Sequence, residues 1–263
     1  MTQISSPDQE RYLNRIKQRK RIILLLRISL LLLFVFLWEY AVRSGRVNGF
    51  IFSSPTRIVT SGIDLLLHGN LLAHTGITLA ETGASFALVI GISFLIAILL
   101  WWNQSLCDIL EPYLVILNSL PKSAMAPIFL VWLGNNMKAI IVTAVSVAIF
   151  GSILNLYTSF TSTDPDKLKL IRTLGGNRLD CLTKVVIPIS FPSILSIMKV
   201  DIGLCLIGVV IGEFLAARKG LGYLIIYGSQ VFKMDWVMLS IILLCIIAAL
   251  LYIGISGLEK KQA

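Results

Sequence analysis

Leu168 to Pro192 reads LKLIRTLGGNRLDCLTKVVIPISFP. It lies between long apolar runs, yet it carries Lys169, Arg172, Arg178, Asp180 and Lys184. Leu168, Ile171, Leu174, Leu179, Leu182 and Val186 fall mostly three or four apart, a spacing that predicts one or two short amphipathic helices. Gly175 and Gly176 let the chain turn. Pro188 suits a helix start, because the first turn has no acceptor for the N–H that proline lacks. An ordered, basic loop of this length between apolar segments predicts a surface that holds another protein.

The rest of the chain supplies the membrane around that loop. Of 263 residues, 56% are hydrophobic and only 14% charged, with mean hydropathy +0.85. A soluble domain carries roughly a quarter charged residues, so the composition predicts an all-α integral membrane protein. The formal net charge is +9, but it concentrates in the tails and the central loop, which is the positive-inside pattern and not a nucleic-acid footprint. Cys107, Cys181, Cys205 and Cys245 are isolated and read as small apolar side chains. His68 and His74 have poor ligand spacing, and no metal site is expected. No G-x-x-x-x-G-K-[ST] occurs, so any ATP used by a machine containing this chain is bound on a different chain.

Six spans are expected. Ile22–Val42 gives about 21 mostly apolar residues, enough to cross a core of ~30 Å. It reads as a retained helix and not a signal peptide, because the run is long and no small-x-small site follows. Arg15, Lys17, Arg19, Lys20 and Arg21 place its start in the cytosol. Residues 43–74 form an outside loop with a short interfacial helix at 58–67. The second span is 75–102, with Glu81 near its outer end, either exposed at the interface or paired with a neighbour.

The third, 109–133, holds Asn118, Ser119, Pro121, Lys122, Ser123 and Pro127 at membrane depth. A lysine there costs about 2.5–3.5 kcal/mol, and irregular backbone is tolerated only against protein or water. This stretch is expected to line a translocation path or its gate; the alternative is a snorkelling Lys122 on a packed, kinked helix. The fourth span is 139–160. The fifth, 189–215, carries Lys199, Asp201, Glu213 and a Gly208-x-x-x-Gly212 suited to close helix packing. The sixth is 236–255. Thirteen Lys and Arg fall in the N-terminal tail, residues 161–188 and the C-terminus, against seven in the outside segments, so both termini are expected in the cytosol.

The central loop resembles the cytoplasmic EAA loop of ABC importer permeases: Glu-Ala-Ala, three residues, Gly, nine residues, then Ile-x-Leu-Pro. The Gly falls on Gly175 and the end on Val185, Ile187 and Pro188, while Lys169, Leu170 and Ile171 stand in place of Glu-Ala-Ala. LPKSAMAPIFLVWLG (Leu120–Gly134) resembles the Leu-Pro-x-x-Ala-x-x-Pro…Trp-x-Gly segment of nitrate, sulfonate and taurine-type permeases, matching at Leu120, Pro121, Ala124, Pro127, Trp132 and Gly134. RKGLGYLI (Arg218–Ile225) resembles a further segment of that family, and SSPTRIV (Ser53–Val59) its Pro-Ser-Pro entry with Ser53 in place of the first proline.

The resemblance implies a cytosolic tail and first transmembrane helix over residues 1–50, then a permease core of five transmembrane helices over 51–263, with the coupling loop at 161–188. It implies two permease copies (a homodimer), two ATP-binding subunits that hold ATP and Mg, an extracytoplasmic solute-binding protein, surrounding lipid and a bacterial cytoplasmic membrane. Lys169, Arg172, Thr173, Leu174, Gly175, Gly176 and Arg178 are the expected ATPase contact. Asn118, Ser119, Pro121, Lys122, Ser123, Asp201 and Glu213 are the expected path residues. No catalytic residue is sought on this chain. The solute class stays open among sulfonates, nitrate, taurine and thiamine-precursor pyrimidines. An ion-gradient-driven secondary transporter is the alternative, with Lys122, Lys199 and Asp201 as coupling groups; the absence of an obvious inverted repeat weighs against it.

Overall fold

The computed structural model describes the backbone of residues 7–260 and the side chains from Arg15 to Gly257 apart from Lys17 and Lys20. The expected placement of the outermost tail residues, 1–6 and 261–263, lies outside the described residues. All regular structure described is helical: α1 (Pro7–Arg43), α2 (Gly49–Phe52), α3 (Pro55–Leu67), α4 (Leu71–Trp102), α5 (Gln104–Ser119), α6 (Lys122–Leu133), α7 (Met137–Thr161), α8 (Pro165–Thr173), α9 (Arg178–Cys181), α10 (Ile187–Ala216), α11 (Leu221–Gln230) and α12 (Met234–Lys260).

Polar residues at the joints set these boundaries. Ser54, Asn103, Asn136 and Asp164 each accept a backbone N–H from the first turn of the helix they precede, which satisfies donors that have no partner inside the helix. Among the described residues, five helices are long and apolar enough to span a membrane. A sixth span exists if α5 and α6, which meet at 95°, are counted as one.

Residues 109–133 are not one smooth helix: with the irregular backbone expected of them, they break into α5 and α6. Leu120 is extended (ψ 145°) because the residue before a proline is pushed out of the helical region, and Pro121 opens a new direction for α6. Contrary to expectation, the fifth helix does not start at Pro188. It starts at Arg178, where Asn177 and Asp180 exchange side-chain and backbone bonds in a capping box. A wide, π-type turn over Leu182–Val186 then carries it into α10. The extra residue in that turn relieves the clash of the Pro188 ring with the carbonyl one turn back, so the proline is absorbed and not terminal.

The packing centre is α7, of whose span half is buried, against none for the span in α1. Val89 of α4, Ala148 of α7 and Cys205 of α10 meet in one fully buried layer. Gly208 and Gly212 let α10 approach α7 closely: a Cβ at Gly208 would fall 2.5 Å from Ala144 Cα, and one at Gly212 3.0 Å from Ile140 Cα. The G-x-x-x-G is therefore used within the chain. At one end, Ala97, Leu156, Phe160, Leu182 and Val186 close a second cluster beneath the central loop. A third joins Ile58 and Leu65 of α3 to Leu221 and Leu224 of α11 and Leu239 of α12.

Candidate functional site

The central loop is ordered and helical. None of α8 is buried. Leu168 is half-buried against the cluster of Leu182 and Val186, and this anchors α8 to the ends of α7 and α10. On the free side Leu170, Leu174 and Leu179 are 58%, 74% and 55% exposed. Gly175 takes φ +85°, a conformation that side chains disfavour, and turns the chain from α8 toward α9. Lys169 pairs with Asp166 at 2.9 Å, both exposed, and Lys184 with a half-buried Asp180 at 2.7 Å. Arg172 is exposed, and the Thr173 hydroxyl donates back to the carbonyls of Lys169 and Leu170. Arg178 turns toward the end of α4, its guanidinium 5.6 and 5.5 Å from the Trp101 and Trp102 rings and one N–H 3.3 Å from the Trp101 carbonyl.

The α5–α6 break is held by Lys122. Its ammonium donates to Asn118 Oδ1 at 3.1 Å and to the Val147 carbonyl of α7 at 2.8 Å, so a charge-assisted clamp joins three helices. Ser119, Pro121 and Ser123 are exposed beside it, with the Ser119 hydroxyl donating to the Val115 carbonyl. Asp201 is elsewhere: it is 1% exposed and accepts the Ser152 hydroxyl of α7 at 2.7 Å. The structure thus brings Asn118 and Lys122 together and leaves Asp201 and Glu213 at separate sites. Lys199 Nζ lies 5.8 Å from the Tyr252 ring centre.

Glu213 anchors a network at the end of the bundle away from the central loop. It is 1% exposed. It accepts the Thr78 hydroxyl at 2.7 Å and the Gly222 N–H at 2.5 Å, while Leu221 N–H donates to Thr78 Oγ1 at 2.9 Å and Gly220 N–H to His74 Nδ1 at 3.0 Å. Side chains of α4 and α10 thereby satisfy successive free N–H groups at the start of α11. This explains Gly220-Leu221-Gly222: a Cβ at Gly220 (φ +117°) would fall on the Glu213 carboxyl, and one at Gly222 would fall 2.8 Å from Glu213 Oε2. Glu81 is 2% exposed, lies against Glu213, and leaves Oε2 without a hydrogen-bond partner. Of the two sequence expectations for Glu81, exposure is overturned and a neighbour is found. The glycine spacing signalled a backbone approached closely; that Glu213, His74 and Thr78 approach it depends on how α4 and α10 pack.

Apolar spans with a broken hairpin and an exposed, basic helical loop define a multi-pass helical membrane protein of the transport class. Residues 87–260 match the family described as binding-protein-dependent transport system inner membrane component, and the chain belongs to that family, the permeases of ABC importers. It is 29% identical to a "Probable ABC transporter permease protein" of Haemophilus influenzae, over 86% of this chain and 91% of the relative. It is likewise 29% identical to the formylaminopyrimidine transport permease protein ThiX of Halalkalibacterium halodurans, over 87% of this chain and 91% of the relative. Its fold is similar to a chain of the MetNI methionine ABC transporter solved in inward-facing conformations, with TM-score 0.65, 19% identity, and coverage of 73% of this chain and 96% of that one.

Proposed function

We propose that this permease forms the solute path of its importer and is driven through the α8–α9 lever by a separate ATP-binding subunit. The observation that carries the reading is the lever itself. Three leucines stand exposed on a polar loop whose root is packed into the bundle, and an exposed apolar patch with a charged surround is the mark of a protein-binding surface. Lys169, Arg172, Thr173, Leu174, Gly175 and Gly176 contact the ATPase, and Arg178 braces the base of that surface against α4. ATP and Mg sit on the partner, and no reaction is catalysed on this chain. The lever and both termini face the cytosol of a bacterial cell, with the Glu213 end outside.

Two copies of the permease pair, each on one ATPase, and a solute-binding protein delivers cargo on the outside. Asn118, Ser119, Pro121, Lys122 and Ser123 line the path at the α5–α6 break, while Asp201 and Glu213 act from behind its wall as positioning residues. The solute is a small anion or small organic molecule of the sulfonate, nitrate, taurine or thiamine-precursor class; the ThiX relative lends support to the last. Purification in mild detergent tests the reading. An ATP-binding subunit co-purifies in equal amount with the wild-type chain and is lost from Leu174→Asp, which still inserts. A chain that purifies without an ATPase, and transports in vesicles on an ion gradient alone, overturns it.

A further inference from the structure

α7 and α10 turn small polar residues toward one another near the lever. Asn155, Thr158, Ser159 and Ser162 recur at helical spacing along one, and Ser190, Ser193 and Ser196 along the other. With Thr163 they line a groove of about 560 Å³, within the roughly 300–1,000 Å³ of small-molecule sites.

Three observations give the groove a purpose. Asn155, Thr158, Ser193 and Ser196 are exposed in the single chain, although they belong to spans that are otherwise apolar. Exposed amides and hydroxyls at that depth are unfavourable in hydrocarbon, so this face meets water or protein; the Leu250 and Ile253 face of α12, each 63% exposed, suits lipid. Second, Thr163 lines this groove and is 4% exposed, and its buried hydroxyl has no hydrogen-bond partner. An unpaired buried hydroxyl is unfavourable, which favours a small shift that turns it to a partner in the groove. Third, Thr163 stands two residues before α8, so the floor of the groove is the root of the lever. No Lys, Arg, Asp or Glu lines it.

We propose that this groove is the inner half of the solute path, and that it passes a small polar organic solute by neutral hydrogen bonds and not by ion pairing. The proposal rests on the permease reading above. Neutral, spread-out donors and acceptors hold such a solute weakly at several points, as passage requires, and movement of the lever reshapes the groove through Thr163.

The test is thiol labelling of the complex with its ATPase in inside-out membrane vesicles. Cys107, Cys181 and Cys205 are buried and Cys245 is exposed, so Cys245→Ser gives the background. Ser193→Cys and Ser196→Cys are treated with anionic sulfonatoethyl and cationic trimethylammonioethyl methanethiosulfonate. Both reagents are expected to label both sites at least about tenfold faster than Leu250→Cys, since the thiolate forms in water and not in hydrocarbon. The two reagents should agree within a few-fold. Labelling no faster than at Leu250→Cys, or a disulfide between two copies in place of labelling, overturns the path assignment. A tenfold preference for one reagent's charge overturns the neutral mechanism. ATPase co-purification from the same membranes separates the failures: with the ATPase present only this proposal falls, and without it the permease reading falls too.

Discussion

Gly220 and Gly222 are needed by what touches them. Both sit where a Cβ would enter the space of the Glu213 carboxyl, and Gly220 adds a positive φ. Gly220→Ala is therefore expected to destabilise the chain by about 1–3 kcal/mol, read as a lower midpoint of thermal unfolding in detergent. Gly83 on α4 has nothing within 4 Å of the corresponding position; Gly83→Ala should leave the midpoint unchanged or raise it slightly, because alanine is the better helix former. Equal effects at both sites would refute the Glu213 explanation. Lys122 is a second single-residue case. Its ammonium joins Asn118 and Val147 across the break, and methionine keeps the stem while removing the bonds. Lys122→Met should lower uptake more than it lowers expression; a fall in expression alone would mark the lysine as a packing residue.

The helical elements divide into those that pack and those that present a surface. In α8 nothing is buried and Leu174 at its end is the most exposed leucine of the central loop, so its ordering adds little to the core. Gly175 and Gly176 join α8 to α9, and the proposed coupling would run through them. Gly175→Pro conflicts with φ +85° because proline is fixed near −65°. The expected outcome is normal insertion with ATPase binding and uptake abolished; intact uptake would remove the lever from the mechanism. The Asn177–Asp180 capping box begins the long fifth helix, and Asp180→Ala should cost about 1 kcal/mol, measured as a lower unfolding midpoint with ATPase binding retained.

At the scale of the whole molecule, α1 stands apart. None of its apolar span is buried, and it is joined to the rest near its end, where Trp38 packs on the α3–α12 cluster and Glu39 accepts the Thr56 N–H at 3.0 Å. The MetNI chain is covered to 96% by only 73% of this chain, which fits a shared core without such an appendage. Deleting residues 1–46 is expected to leave the remaining helices inserted and still able to hold the ATPase. Loss of ATPase from the truncated chain would place α1 in the assembly and not beside it.

The sequence by itself determined the class and where the apolar segments fall, because hydrophobic runs are local and the bilayer reads them one segment at a time. It also marked the short helices of the central loop, whose apolar spacing and paired glycines are short-range signals. Lys122 and Pro121 marked the irregular third segment, but a 95° break and a kink leave similar traces in sequence. Pro188 misled for the same reason: a wide turn that absorbs a proline is settled by packing around Leu182 and Val186. Only the tertiary structure decided the partners. Thr78 of α4 meets Glu213 of α10, which also holds Gly222 of α11, although Thr78 stands 135 residues before Glu213 in the chain, and the hydroxyl faces of α7 and α10 meet across one groove. Which polar groups converge depends on the rotation of each helix about its axis, and close packing of Gly208 and Gly212 against α7 fixes that rotation.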